Sequence, residues 1–471
     1  MRLMLINPKR ENLNGIDAHN GLALLGTIMR DKGHEVKIVD YMIIQEEIPI
    51  HDFIESFKPD MIGVSVYTIN KDTCLKKIKE IRACFDGVLI VGGHHPSYKP
   101  GDFNNLGIDY IFIGESEESI VELKPKRQEQ PKIIYGKQVS DLDKLPIPDY
   151  RLFHNWENIY NYPLLTSRGC PYQCSFCISN KKYRARSVHD CIEEIEFARS
   201  YMGEKINIIV MDDQPLLDKM RFKEFLRRYA KRFKMKLTII NTRADSIDSE
   251  MLDLMKSCNV EAIGIGVEHG NTAIFNTVNK GENLLQIEDA CNLIKRKGFT
   301  LGLTFIIGLP YDTFEDTKDS IAFYKKVKAD YSTWNFVMPF DGSKVKEQLE
   351  YLGAKFHPID DKQPYCDNTF LAGDVTVETD IFTKWEMERA YYMAIFQTTN
   401  EKLRLRHLKD IYTTALRYNL FLDFIVWLPK GILKSLKRKT AMAMNAFDYM
   451  KKNGIRRLFS RILYLINAKR L

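Results

Sequence analysis

From Arg2 to about residue 125 the chain repeats one pattern, a short apolar run followed by a stretch with apolar positions three and four apart. The runs "RLMLINP", "HEVKIVD", "MIGVSVYT", "GVLIVGG" and "DYIFIGE" are too short for helices and apolar on consecutive positions, as expected of strands buried on both faces. Between them "GLALLGTIMRDKG", "HDFIESFK" and "DTCLKKIKEIRACF" have helical spacing. Strands alternating with helices require right-handed crossovers and a parallel sheet. The expected fold class is therefore α/β, opening with a doubly wound, Rossmann-like domain over residues 1–125. Ligands on such sheets bind beyond the carboxyl ends of the strands. Those ends read "NP", "SVYT", "GGHHP" and "GE", and no GxGxxG follows the first strand, which disfavours a dinucleotide.

Residues 126–160 are charged and proline-rich with little periodicity and read as a linker. A second series then begins: "YPLLTS", "INIIVMDD", "LTIINTRAD", "EAIGIGVEHG", "TLGLTFIIGLP" and "STWNFVMPF" as strands, with helices near 188–203, 218–234, 249–257, 285–297 and 314–328. Six βα-type units over 161–345 predict a partial (β/α)6 TIM-like barrel, with its chemistry at the carboxyl ends of the strands. Residues 346–471 read as a helical, basic region. Residues 401–471 hold 17 Lys/Arg against 4 Asp/Glu, so they account for the chain's formal +7 while the remainder is mildly acidic.

The chain opens on a strand-like run rather than a secretory leader, and no apolar stretch reaches the roughly 20 residues that span a bilayer. A cytoplasmic protein is expected. In a reducing compartment nine cysteines do not form a disulfide framework. Cys74, Cys84, Cys191, Cys258, Cys291 and Cys366 are scattered and read as small buried hydrophobes. Cys170, Cys174 and Cys177 instead form CxxxCxxC just after the first strand of the second series. Thiolates favour soft metals, and iron-sulfur clusters usually take four. A cubane held by three leaves one iron open to an external ligand. The alternative is zinc completed by His154 or His189.

"LLTSRGCPYQCSFC", with Phe176 before the last cysteine, resembles the motif of the radical S-adenosylmethionine (radical SAM) superfamily. The resemblance implies a 4Fe-4S cluster on Cys170, Cys174 and Cys177, the catalytic and metal-binding residues, whose open iron chelates SAM and cleaves it to a 5'-deoxyadenosyl radical. It extends to "VMDD", "NTRAD", "GVEHG" and "FIIGLPYDTFED", implying that Phe176, Asp213, Arg243, Glu268 and Gly308 contact or position SAM. Acids suit hydroxyls and an ammonium, and arginine suits a carboxylate. For each of the last four the alternative is a salt bridge or turn at the barrel mouth.

The first domain is similar to those that bind cobalamin ahead of such barrels, as in the class B radical SAM methyltransferases. The resembling stretches are "GLALLGTIMRDKGHEVKIVD", "KPDMIGVSVYT", "VGGHHPS", "GIDYIFIGESEESIVEL" and the linker's "DLDKLPIPDY". Cobalamin is then implied over a lining of Ser65, Tyr67, Thr68, Gly92, Gly93, His94 and Gly114, although His94 and His95 equally suit a cap on the sheet edge. "DAHNG" departs from the Asp-x-His-x-x-Gly loop that ligates cobalt from below, leaving His19 as either a lower ligand or a polar loop residue.

The implied reaction is methylation of an unactivated carbon on a small or lipid-like substrate, with an electron donor such as flavodoxin or ferredoxin. The alternatives are radical cyclisation, oxidation or rearrangement without methyl transfer, and a non-catalytic cobalamin or redox sensor. In the tail, "IYTTALRYNLFLDFIVWLPKGILKSLKRKT", with Lys437, Arg438 and Lys439, and "KKNGIRRLFSRILYLINAKRL" combine aromatic anchors with positive charge. They read as peripheral membrane contacts or as helices packed on the barrel. No RNA-binding motif accompanies the charge, which disfavours nucleic acid.

Overall fold

A computed structural model describes residues 1–9, 18–44, 48–358, 374–398, 408–420 and 422–424. Met1–Thr398 form one compact unit and Thr399–Leu471 a second. Cys366 and the basic stretches beyond residue 424 lie outside the described residues.

The first sheet contains β1 (Arg2–Asn7), β2 (Glu35–Asp40), β3 (Met61–Ser65), β4 (Val88–Gly92), β5 (Tyr110–Ile113) and β6 (Lys132–Tyr135), all parallel in the order β2-β1-β3-β4-β5-β6. Its helices are α1 (Asn20–Asp31), α2 (Ile50–Phe57), α3 (Lys71–Cys84), α4 (His94–Tyr98) and α5 (Ser119–Glu122). Strands β1 to β5 are the expected apolar runs. The chain winds outward in both directions from β1 and β3, which places the ligand crevice at their carboxyl ends. Cys74 is buried under the sheet as expected, whereas Cys84, at the end of α3, is exposed.

The expected linker is not a free tether. Its "KIIY" forms edge strand β6, with three of four side chains exposed. Buried Asp109 turns the chain back to make this strand by accepting the Gln128 N–H at 2.6 Å and the Arg127 guanidinium at 2.8 Å. Further on, Asp143 accepts the Ser187 N–H at 2.8 Å, and the Asp149 carboxylate gathers the Arg30 and Arg151 guanidinium groups. The Tyr150 ring lies 4.9 Å from Tyr162, and Phe153 bridges to Ile38 on β2. "DLDKLPIPDY" is therefore a strap docked on both halves.

The second half contains β7 (Asn161–Leu164), β8 (Ser167–Arg168), β9 (Arg184–Ala185), β10 (Asn207–Val210), β11 (Lys236–Ile239), β12 (Ala262–Glu268), β13 (Thr300–Ile307) and β14 (Tyr331–Phe336). Parallel runs β7-β10-β11 and β12-β13-β14 meet through the Thr242–Ile265 bridge, giving six strands of an open barrel. Outside it lie α6 (Val188–Met202), α7 (Lys219–Arg232), α8 (Ser249–Ser257), α9 (Thr272–Thr277), α10 (Leu284–Arg296) and α11 (Phe314–Val327). Ser187, Asp218, Asp248, Asn283 and Thr313 cap five of these helices by accepting a first-turn N–H, which sets where each begins.

Next come α12 (Lys344–Tyr351), the antiparallel pair β15 (Lys355–Phe356) and β16 (Val377–Glu378), and α13 (Lys384–Thr398). Helix α13 closes the β14 side, with Tyr391 5.5 Å from Phe336. In the second unit α14 spans Leu408–Arg417. No helix among the described residues is long and apolar enough to cross a membrane.

Candidate functional site

Strands β8 and β9 pair antiparallel, with Arg168 opposite Arg184, and close the loop that carries the three cysteines. Inside that loop Cys170 N–H donates to the Asn180 carbonyl at 2.8 Å and Cys177 N–H to the Cys174 carbonyl at 3.1 Å. Ser175 fastens the loop to the barrel: its N–H donates to Val278 O, and its carbonyl accepts from Val345 N–H, each at 2.8 Å. Phe176 packs against the apolar cluster of Ile306, Leu309, Val337 and Val345. The loop is thus anchored to the barrel by backbone hydrogen bonds and by one aromatic side chain.

Asp213, at the end of β10, holds the loop's two arms. Its carboxylate accepts the Gly169 N–H at 3.0 Å and the Ser179 hydroxyl at 3.1 Å. The Ser179 N–H in turn points at Cys177 Sγ, 3.4 Å away. Gly169 has φ +80°, and a Cβ there would collide with the Lys182 and Asn180 carbonyls, so only glycine fits. All three thiols are half-buried. Burial raises the Cys170 thiol and pushes Cys174 up to about 11, so metal ligation must expel a proton.

A buried ion network adjoins Cys174. Glu268 follows a register shift at Gly266 and has φ +66°, a strained conformation for a side-chain-bearing residue. Its carboxylate meets Lys280 Nζ at 2.8 Å, and Glu282 lies 3.5 Å from the same ammonium. Burial opposes the charge on Lys280, but the two acids outweigh it and hold that ammonium above its usual value. Arg243 stacks over Tyr172 of the cysteine loop at 3.6 Å, donates to Asp245 at 2.8 Å and reaches the Lys280 carbonyl at 2.9 Å. Sequence reasoning missed Lys280 and Glu282, which sit in "VNKGEN" in the connection between α9 and α10. Gly308 lies elsewhere: it donates its N–H to Asp312 at 2.8 Å and backs onto Met387 of α13.

A cavity of about 400 Å³ opens between the halves of the first unit. The sheet side contributes Ser65, Gly92, Gly93, His94 and Gly114; the barrel side contributes Gly169, Ser179, Asn180 and Asp213. Tyr67 lies behind this lining, stacked on His94 at 6.0 Å, and Thr68 faces away to bond His95 Nδ1 at 3.2 Å. His95 is buried against Asp102, 3.0 Å away, so it is a cap on the sheet edge. His19 caps α1 by accepting the Leu22 N–H at Nδ1, and its Nε2 is 2.8 Å from Ser65 Oγ. A second cavity of about 470 Å³ lies across α4, between His95 and Tyr98 on one wall and Ile178, Met338 and Phe340 on the other.

The sequence pattern of the Radical SAM superfamily matches residues 164–324, and that of the B12 binding domain matches residues 13–124. This chain is a radical SAM enzyme with a B12-binding domain. An uncharacterised methyltransferase of Pyrococcus horikoshii is 26% identical to it over 74% of this chain and 83% of its own length. The anaerobic magnesium-protoporphyrin IX monomethyl ester cyclase of Rubrivivax gelatinosus is also 26% identical, over 74% of this chain and 70% of its own. The solved radical SAM methyltransferase TsrM from Kitasatospora setae, with cobalamin and a [4Fe-4S] cluster bound, shares the fold. Its TM-score is 0.61 at 18% identity, covering 76% of this chain and 81% of that one.

The site's chemistry fits the cofactors of a radical SAM enzyme with a B12-binding domain: the 4Fe-4S cluster, SAM and cobalamin. Three thiols on one backbone-anchored loop are a soft donor set. Among the described residues no three His, Cys, Asp or Glu side chains converge on a single metal ion, and the ring of His154 packs edge-on to Phe53 at 5.0 Å. On the sheet side of the cavity, Gly93 has φ +106°, and a Cβ there would fall 2.8 Å from the Val66 carbonyl, so only glycine fits at this strand end.

Proposed function

We propose that this cobalamin-dependent radical SAM enzyme is a C-methyltransferase acting on an unactivated carbon of a small or lipid-like substrate. The observation that carries this reading is the shared cavity, lined both by the sheet's glycine strand ends and by the flanks of the cysteine loop. When bound, the cluster supplies the electron that cleaves SAM, and the corrinoid supplies the methyl group.

The protein's own part is binding, orientation and exclusion of water. Cys170, Cys174 and Cys177 hold the cluster, and Asp213 sets their loop through Gly169 and Ser179. Arg243 and Glu268 offer SAM a guanidinium and a carboxylate that Asp245 and Lys280 keep fixed in place. Gly308 shapes the β13 end from behind. Leu5, Val64, Phe112, Leu165 and Met211 wall the cavity with apolar surface that keeps water from a reactive centre. The second cavity, beside Ile178 and so next to Cys177, is the room assigned to substrate. The basic tail supports peripheral contact with anionic lipid, through which a lipid-like substrate would be reached.

The test is anaerobic reconstitution with iron, sulfide and hydroxocobalamin, followed by turnover with methyl-deuterated SAM. Methyl transfer yields S-adenosylhomocysteine together with 5'-deoxyadenosine and puts deuterium in the product. Deoxyadenosine alone identifies a cyclase, oxidase or rearrangement enzyme. If neither forms, the radical reading fails.

A further inference from the structure

As a thiol, Cys177 donates to the Ser179 hydroxyl oxygen at 3.3 Å. As a cluster ligand it has no proton to give, and that hydroxyl's own hydrogen goes to Asp213 at 3.1 Å. What Ser179 still offers the sulfur is its backbone N–H, 3.4 Å away. This N–H belongs to the peptide group joining Ile178 to Ser179. The other end of the same group, the Ile178 carbonyl, accepts the Tyr98 O–H at 3.0 Å, from a residue eighty positions earlier in the chain.

Phenol, peptide and sulfur thus form one continuous hydrogen-bonded line. A peptide group is planar and conjugated, so a proton donated to its oxygen draws charge from its nitrogen and makes its N–H a stronger donor. Tyr98 is the last residue of α4, and that helix is fastened at its base. Ser97 Oγ donates to the Gly93 carbonyl at 2.9 Å and accepts the Gly114 N–H at 3.1 Å, which fixes α4 on the ends of β4 and β5. Beside it, Lys99 Nζ reaches Asp341 of the barrel half at 2.8 Å. The Tyr98 ring is 39% exposed and lines the second cavity next to Ile178, so it is not there to fill a core.

We infer that Tyr98 is a positioning residue for the cluster: through the Ile178–Ser179 peptide it strengthens the N–H bond to the Cys177 sulfur and so raises the reduction potential of the 4Fe-4S centre. A hydrogen bond to a ligating sulfur draws off electron density, which favours the reduced cluster with its extra negative charge. The first half of the molecule thereby sets how readily the cluster on the second half accepts the electron that cleaves SAM. The inference rests on a cluster held by the three cysteines, and neither on methyl transfer nor on the corrinoid.

The full chain is reconstituted with iron and sulfide, without corrinoid or SAM, and the midpoint potential of the cluster is read by anaerobic redox titration of its EPR signal. Tyr98→Phe removes only the hydroxyl and is expected to lower the potential, so that at a fixed applied potential the ratio of reduced to oxidised cluster falls roughly twofold to tenfold. The analogue 3-fluorotyrosine placed at position 98, a stronger donor of nearly the same shape, is expected to raise it. Lys99→Met breaks the neighbouring ion pair between the halves and is expected to leave the potential where it was. Iron and sulfide content with melting temperature establish that each variant is loaded and folded, and the fluorinated chain carries the test if Tyr98→Phe loses its cluster. An unchanged or higher potential in loaded Tyr98→Phe overturns the inference, as does the absence of a rise with 3-fluorotyrosine. A fall of equal size in Lys99→Met also overturns it, because the cause is then a loosened interface and not a relay. Wild type that assembles no 4Fe-4S cluster overturns the cluster assignment, and the proposed function with it.

Discussion

Asp213 gives one carboxylate oxygen to the Gly169 N–H and the other to the Ser179 hydroxyl, so the two arms of the cysteine loop are drawn to a single group. Asp213→Ala should leave both donors loose, lower the melting temperature by the equivalent of roughly 1–3 kcal/mol, and reduce iron bound per chain after reconstitution. Iron analysis beside thermal melting checks this; full iron loading would show that the loop holds its shape without the carboxylate. The three cysteines were legible because their spacing alone excludes most other uses. Asp213 was legible as a barrel-mouth acid, but its hold on the cysteine backbone was not, since hydrogen bonds spanning more than thirty residues leave no periodic trace. Lys280 and Glu282 were invisible for the same reason: their meaning arises only where β12 brings Glu268 to meet them.

At the scale of elements, the β8–β9 hairpin and the strap decide how the site is held. Gly169→Ala introduces a Cβ into the Lys182 and Asn180 carbonyls at a positive φ, which should cost at least about 1 kcal/mol. Iron retention should fall with it, measured on the anaerobically purified variant. In the strap, burial alone would raise Asp149, but Arg151 and Arg30 hold its carboxyl below its ordinary 3.8. A depressed carboxyl stabilises the fold above its unfolded value and loses that contribution as pH falls through the lower folded value. Asp149→Asn should therefore cost roughly 2–4 kcal/mol near pH 7. The gap from wild type should close below about pH 4, as read by urea melts across that range. Strands β1 to β5 and the six barrel strands could be read from apolar runs. Strand β6 could not, because an edge strand with exposed side chains lacks the buried signature.

For the molecule as a whole, the 17 Lys/Arg against 4 Asp/Glu of residues 401–471 turn a formal −6 elsewhere into the chain's +7. The full chain is expected to co-sediment with vesicles rich in phosphatidylserine at low salt and to be released as salt screens the contact. A chain ending at Thr398, the end of the first compact unit, should stay in solution under both conditions. Equal sedimentation of the two would remove the tail from any account of membranes.

A segment clamped by Asp143 and Tyr150 to the barrel and by Asp149 to Arg30 of α1 cannot act as a hinge. Guests must then enter through side-chain and loop rearrangements at the rim, because the two halves are denied a clamshell swing. Protease should accordingly spare residues 141–153 in the native protein, although their composition advertises a vulnerable tether.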